Sequence, residues 1–298
     1  MRLIQILLSV SSVSSVAKKN SPMPILAPAK INLHLRVGPP RADGFHPILT
    51  WMCVVDLYDE IEIEPAANGV TLECDDPSIP TDERNLVVKA ALAMGAAAKI
   101  KLTKRIPAGG GLAGGSSDAA STLMALGPGH PDKNLPQIAM SLGSDVAFFL
   151  HGPSSVCAGV GEQVRPIDPP ACGWALLILP PFGMPTPAVY RKFDEMKLGR
   201  RESIDVEPDW SALTQLSAER LLPHLVNDLE PPAFALNPEL RRLRDNWEQR
   251  LGRPVRMSGS GSTLFTLYDT LDEAEKTEGD RDIRVVEVAP RQTEPPAA

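Results

Sequence analysis

The chain has 298 residues, 43% hydrophobic and 22% charged, a balance that suits a globular protein of two domains and excludes collagen, coiled coil and thoroughgoing disorder. Thirty lysines and arginines against 37 aspartates and glutamates leave a net charge of −7, so no global basic field draws the molecule to nucleic acid or an anionic membrane. Thirty prolines predict many turns and short elements.

Residues 1–24 stand apart. One arginine, a short apolar stretch and a Ser/Val run imitate an export signal, but Lys18 and Lys19 follow where a small-residue cleavage site belongs. The segment is expected to be a disordered tail, or an early start ahead of Met23. In residues 30–37, Ile31, Leu33, Leu35 and Val37 alternate with Lys30, Asn32, His34 and Arg36, which predicts a strand with one buried and one polar face. On the polar face Lys30 reads as a solvated lysine or a functional cation, and His34 as a surface histidine. A turn over 38–44 leads to strands at 48–57 and 60–64 and a weaker one at 70–74. An Ala-rich helix at 85–97 and a strand at 99–104 follow.

After the unusual segment 107–117, a helix is expected to start from the cap-type residues Ser116, Ser117 and Asp118 and run through 119–126. A second helix, 135–142, stops at Gly143. Asp145 then precedes an apolar run, where a carboxylate is either a helix N-cap or a base aimed into a cleft. Strands at 154–160 and 163–167 complete this half. Asp168-Pro169-Pro170 divides the chain into domains 25–168 and 169–289, with 290–298 a disordered Pro-rich tail. The second half reads as a strand at 174–179 and helices at 188–196, 211–224 and 238–251. Strands at 255–257 and 264–268 flank the Ser-Gly run 258–262, before a helix at 271–277 and a strand at 283–288. Strands alternating with helices, and a hairpin among them, predict a two-domain α+β fold.

Cys53, Cys74, Cys157 and Cys172 lie far apart with no C-x-x-C pair, which argues against zinc and a disulfide framework and for idle thiols in a reducing cytosol. No apolar run approaches the roughly 18 residues of a membrane span. The pair Asp75-Asp76 and the basic groups Arg200-Arg201 and Arg241, Arg242 and Arg244 read as solvated.

The segment Pro107, Ala108, Gly109, Gly110, Gly111, Leu112, Ala113, Gly114, Gly115, Ser116, Ser117 holds five glycines in seven residues. Such a backbone reaches left-handed conformations and approaches a ligand without Cβ interference. A helix start directly behind it adds unpaired N–H groups and a partial positive charge, so the segment suits phosphate. A Walker A loop needs a lysine that is absent. A dinucleotide loop needs a preceding buried strand and an acidic residue about 20 positions on at a strand end, whereas here a Lys-Arg-Ile-Pro segment precedes the loop and Asp132 lies in a Pro/Gly-rich turn.

The loop resembles the phosphate loop of the GHMP small-molecule kinases. Pro28-Ala-Lys-Ile-Asn-Leu33 resembles the first motif of that superfamily and Met257-Ser-Gly-Ser-Gly-Ser262 its third, in the expected order. The resemblance implies a two-domain fold: an N-terminal S5-like α/β domain that binds ATP and a C-terminal ferredoxin-like α+β domain. Arg41-Ala-Asp-Gly-Phe-His46, with Leu142-Gly-Ser-Asp-Val146 and Gly159-Val-Gly-Glu162, is similar to one branch of it. That branch phosphorylates the 2-hydroxyl of a cytidine diphosphate sugar-alcohol in non-mevalonate isoprenoid synthesis. The similarity runs from about residue 27 to 288.

Carried over residue by residue, the resemblance makes Lys30 and Asp145 catalytic and residues 107–117 the ATP loop. It puts Asn32 beside the reacting hydroxyl, His46 at the cytosine edge, Phe45 and Tyr190 on the ring faces, and Thr186 nearby. It implies ATP and Mg²⁺, with Ser117 as a candidate metal contact, and a cytoplasmic monomer or weak homodimer. Three positions depart from the family pattern: Phe45 where tyrosine is common, Ala113 where glycine is frequent, and Ala147 where proline often follows. None removes a charged group of the proposed chemistry.

Overall fold

The computed structural model describes residues 24–276 and 282–290. The expectations for 1–23, for the end of the helix at 277 and for 291–298 lie outside them. The first half builds one sheet from β1 (Ile25–Val37), β2 (Ile48–Pro65), β3 (Val70–Cys74), β4 (Ala98–Thr103), β5 (Ser154–Ala158) and β6 (Gln163–Pro166). Its order is β3-β4-β2-β5-β6, with β1 also paired to β2. The two strands expected at 48–57 and 60–64 are one continuous β2, long enough to carry β1 on one edge and both β5 and β4 on the other.

Helices α1 (Leu86–Met94), α2 (Gly114–Leu126), α3 (Leu135–Leu142) and α4 (Ser144–Phe148) accompany this sheet. Asn85 starts α1 by accepting from the N–H of Val87, and Gly95 ends it at φ 73°. Met94, Ala119, Ala120, Leu123 and Phe148 from these helices share one apolar cluster with Met52 and Val54 of β2. Near 25 cal/mol per Å² of apolar area buried, such a cluster is a main source of stability.

The second half forms a four-stranded antiparallel sheet from β7 (Trp174–Ile178), β8 (Arg256–Met257), β9 (Leu264–Tyr268) and β10 (Ile283–Glu287), in the order β10-β7-β9-β8. With helices between β7 and β8 and again between β9 and β10, this is the ferredoxin-like plan. The helices are α5 (Thr186–Glu195), α6 (Glu202–Asp205), α7 (Trp210–Leu213), α8 (Ala218–Leu221), α9 (Glu230–Leu236), α10 (Pro238–Leu251) and α11 (Leu271–Glu275). The single helix expected over 211–224 is broken into α7, α8 and a tight turn through Pro223, because Ser217 starts a new helix and proline enters soon after. Among the described residues no helix is long and apolar enough to cross a membrane.

The two halves share a core. Ala29, Ile31 and Trp51 of the first sheet pack in one cluster with Ala175, Leu177, Phe265 and Val286 of the second. Strand β1 is therefore covered on both faces, not one, and Lys30, Asn32 and His34 are all buried. His34 is not on the surface as expected: its ring lies edge-on against Trp210, 5.4 Å between centroids.

Candidate active site

The glycine loop bridges the two halves. Gly109 and Gly111 take φ values of 68° and 77°, and a Cβ on Gly111 would stand 2.2 Å from the carbonyl oxygen of Ser258. Only glycine fits so close an approach of two backbones. Hydrogen bonds pin the loop from several sides, among them Met184 N–H to Gly109 O, Thr263 N–H to Gly110 O, Lys30 N–H to Leu112 O, and Ser258 Oγ to Gly111 O. The 258–262 run is thus a clasp on the loop. The helix behind it begins earlier than expected. Ala113, at φ 55°, precedes α2 and offers no side-chain cap, so Ser116, Ser117 and Asp118 lie inside the helix rather than before it.

Lys30 projects from β1 beneath this loop. Its Nζ donates to Gly111 O at 3.1 Å and to Asn32 Oδ1, and stands 3.8 Å from Asp145 Oδ2. Burial lowers the lysine pKa, while the Asp145 charge opposes that shift. Asn32 is fixed from its other end by donating to Thr50 Oγ1 at 2.9 Å. Asp145 lies in the first turn of the short α4, a helix with no side-chain cap, and remains 37% exposed to the cavity. Of the two readings of that residue, the cap is excluded.

A cavity of about 910 Å³ runs from the loop across Lys30 and Asp145 to Phe45, His46, Thr186 and Tyr190. Phe45 is 64% exposed there. His46 places Nδ1 2.9 Å from Gly38 O, which can only accept, so that nitrogen carries the proton. Its Nε2 faces Asp194 Oδ2 at 3.4 Å, and its ring packs on Tyr190 at 5.1 Å. Burial raises the Tyr190 pKa. Thr186, the first residue of α5, bonds Ser260 of the clasp through the two hydroxyls at 2.8 Å. The catalytic, loop and substrate residues that the family resemblance implied thus border this cavity or belong to the loop that forms its wall, with Ser117 behind it.

One cluster had no sequence signal. Lys104 Nζ donates to Asp59 Oδ2 and, at 2.8 Å, to Asp118 Oδ2, all three side chains being almost wholly buried. Asp59 Oδ1 in turn accepts from the backbone N–H groups of Arg105 and Ile106, anchoring the entry to the glycine loop. Burial works against the Lys104 charge, but the two carboxylates hold its pKa above the ordinary value. Burial, with the like charge of Asp59, pushes Asp118 up to about 7. The three residues come from β2, the end of β4 and α2, so only tertiary structure joins them. Asn85, Leu86 and Ile79 also line the cavity, and no feature of the sequence marked them as part of a site.

A phosphate-type loop, a buried lysine and a facing carboxylate at the junction of these two sheets define a small-molecule kinase of the GHMP class. The family models for the GHMP kinases N terminal domain and GHMP kinases C terminal match residues 85–153 and 209–279. Within that class the chain belongs to the 4-diphosphocytidyl-2-C-methyl-D-erythritol kinase family. A protein of that name from Nocardioides sp. is 37% identical over 270 residues, covering 85% of this chain and 91% of the relative. One from Thermus thermophilus is 38% identical over 258 residues, covering 84% and 90%. A crystal structure of 4-(cytidine 5'-diphospho)-2C-methyl-D-erythritol kinase superposes with a TM-score of 0.75 at 36% identity, covering 90% of this chain and all of that one.

Proposed function

We propose that this chain transfers the γ-phosphoryl group of ATP to the 2-hydroxyl of 4-diphosphocytidyl-2-C-methyl-D-erythritol, in the non-mevalonate route to isoprenoid precursors. One observation carries the reading: Lys30 Nζ lies between Gly111 O of the phosphate loop, at 3.1 Å, and the Asp145 carboxylate, at 3.8 Å. That places a cation where phosphate and acceptor would meet. The loop and the free N–H groups at the start of α2 hold the phosphates. Asp145 accepts the hydroxyl proton as the alcohol oxygen bonds to the γ-phosphorus and the bond to the ADP oxygen breaks. Lys30 pairs with Asp145 and neutralises charge on the transferred group. Asn32, tied to Thr50, holds Lys30 in line.

At the far end, Phe45 and Tyr190 cover the cytosine faces, His46 meets its edge through Nε2, and Thr186 braces the clasp. Among the described residues no group of three or more His, Cys, Asp or Glu could hold a metal by itself. A Mg²⁺ arriving with ATP would need few protein donors, because the nucleotide itself would supply part of its oxygen set. Ser117 Oγ and Asp118 Oδ1 fit that need: both are buried oxygens without a hydrogen-bond partner, next to the loop. All the groups named lie on one chain, so a cytoplasmic monomer or weak homodimer suffices.

Coupled ADP release should occur with the cytidine substrate and not with homoserine or mevalonate; turnover confined to either of the latter overturns the assignment. Asp145→Asn should lower turnover by at least about 10²-fold, the scale of a lost general base, with ADP affinity kept. Turnover within a few-fold of wild type would remove Asp145 from that role.

A further inference from the structure

Helix α5 forms one long wall of the cavity, and its side chains there follow a helical stripe: Pro187, Tyr190, Arg191 and Asp194. At one end of the helix Thr186 bonds Ser260 of the clasp, whose neighbour Gly259 packs against Lys30. At the other end Asp194 stands beside His46. Eight residues of rise separate the two ends by about 12 Å, and Arg191 lies between them.

Among the described residues, three lysines and arginines line the cavity: Lys30, Lys104 and Arg191. Lys30 is engaged by Asn32, Gly111 and Asp145, and Lys104 by Asp59 and Asp118. Arg191 is exposed and makes no hydrogen bond, ion pair or ring contact among the described residues. Of the acids within helical reach, Glu195 pairs with Lys192, and Asp194 stands 3.4 Å from His46 Nε2. A cation is thus left free in a cavity whose other mobile charges, Asp145 and Asp194, are negative.

We propose that Arg191 binds the diphosphate of the substrate, setting the spacing between the base and the reacting hydroxyl. This rests on the cytidine diphosphate reading above. With the base at His46 and the hydroxyl at Lys30 and Asp145, the diphosphate falls alongside the middle of α5. There its charge would otherwise meet only carboxylates. The planar guanidinium fork matches two phosphate oxygens at once, which a lysine ammonium does less well.

The test compares cytidine with CDP by calorimetric titration, the ATP site being filled with a non-hydrolysable ATP analogue. Wild type should bind CDP at least about tenfold more tightly than cytidine, the scale of one charge-assisted contact. Arg191→Ala should lose that preference while keeping its cytidine affinity, and Arg191→Lys should restore part of it. Lys192→Ala, which removes the same charge from a residue that does not line the cavity, should keep the full preference. If Arg191→Ala retains the preference, or Lys192→Ala loses it equally, Arg191 is not the diphosphate ligand. A wild type that binds neither cytidine nor CDP, yet releases ADP with another acceptor, overturns the cytidine reading itself.

Discussion

A register shift in β1 between Asn32 and His34 turns His34 to the face opposite Lys30, where it pairs with Trp51 of β2. Lys30 opens onto the cavity, whereas His34 is packed on Trp210 with Nδ1 lacking a partner. Burial, and then the charge of Arg36, pull its pKa from 6.5 down to about 4. Above pH 6.5 the ring is neutral in both states. Between pH 6.5 and 4 the unfolded chain binds the extra proton, so stability falls as the pH is lowered through that window. The full span amounts to about 3 kcal/mol. Asp118 works in the opposite sense. Its native carboxyl, raised to about 7, takes up a proton before the unfolded one does, and adds stability as pH falls. Comparing His34→Phe with wild type isolates the histidine: in urea melts, the variant's advantage should widen steadily from pH 6.5 to 4. Parallel profiles would mean that native His34 protonates freely. Alternation in the sequence was enough to put Lys30 and Asn32 on one face, but the irregularity after Asn32, which no residue there announces, sends His34 to the other. It carried no sign that the strand is covered on both sides, since the residues that cover it, Trp210 and Ser258 among them, lie more than 170 positions away.

At the scale of elements, the strongly patterned segments formed where expected, α10 between its Asn237 cap and Gly252 being one case. The pieces that escaped are α4, α6 and α9, of five, four and seven residues. Such lengths hold too few turns for a helical period to emerge. In α9, Pro231 and Pro232 read as breakers, but they occupy the first turn, where proline costs no hydrogen bond. Ala113 is the strained joint of the phosphate segment: at φ 55° its Cβ sits in a region that glycine enters freely. Ala113→Gly should stabilise the protein by about 0.5–1 kcal/mol, the relief of that conformation less the added freedom of the unfolded chain. A thermal melt checks it; a lower Tm would show that the surrounding loop favours the methyl group.

For the whole molecule, Asn227 is the stitch between halves. Its Nδ2 donates to Met257 O at 2.7 Å and Gly259 O at 2.8 Å, its Oδ1 accepts from Leu229 N–H, and its backbone bridges to Leu35 of β1. With the inter-sheet core shared as well, calorimetry should record one unfolding transition for both halves. Asn227→Ala leaves three buried backbone groups unpaired and should shift that single transition down, by about 2–4 kcal/mol in stability. Two resolved transitions would show that the halves melt independently. No pattern in the sequence announced this tie, because an asparagine ahead of Asp-Leu-Glu carries no hint of partners thirty residues on.

The last described strand also completes the first sheet. Strand β5 pairs with β2 only over Thr50–Cys53 and β4 only from Glu60 onward, and Val288 bridges to Val55 in the gap, with Ala289 N–H donating to Val54 O. A ribosome making this protein therefore lays down β2 early and supplies its missing partner, Val288, only after more than two hundred further residues. Until then the open stretch of β2 is an unsatisfied strand edge, the kind of surface that invites chaperones or aggregation. A message cut short just before codon 288 would yield a chain with every kinase residue present and that edge exposed, marked for degradation by its own unfinished sheet.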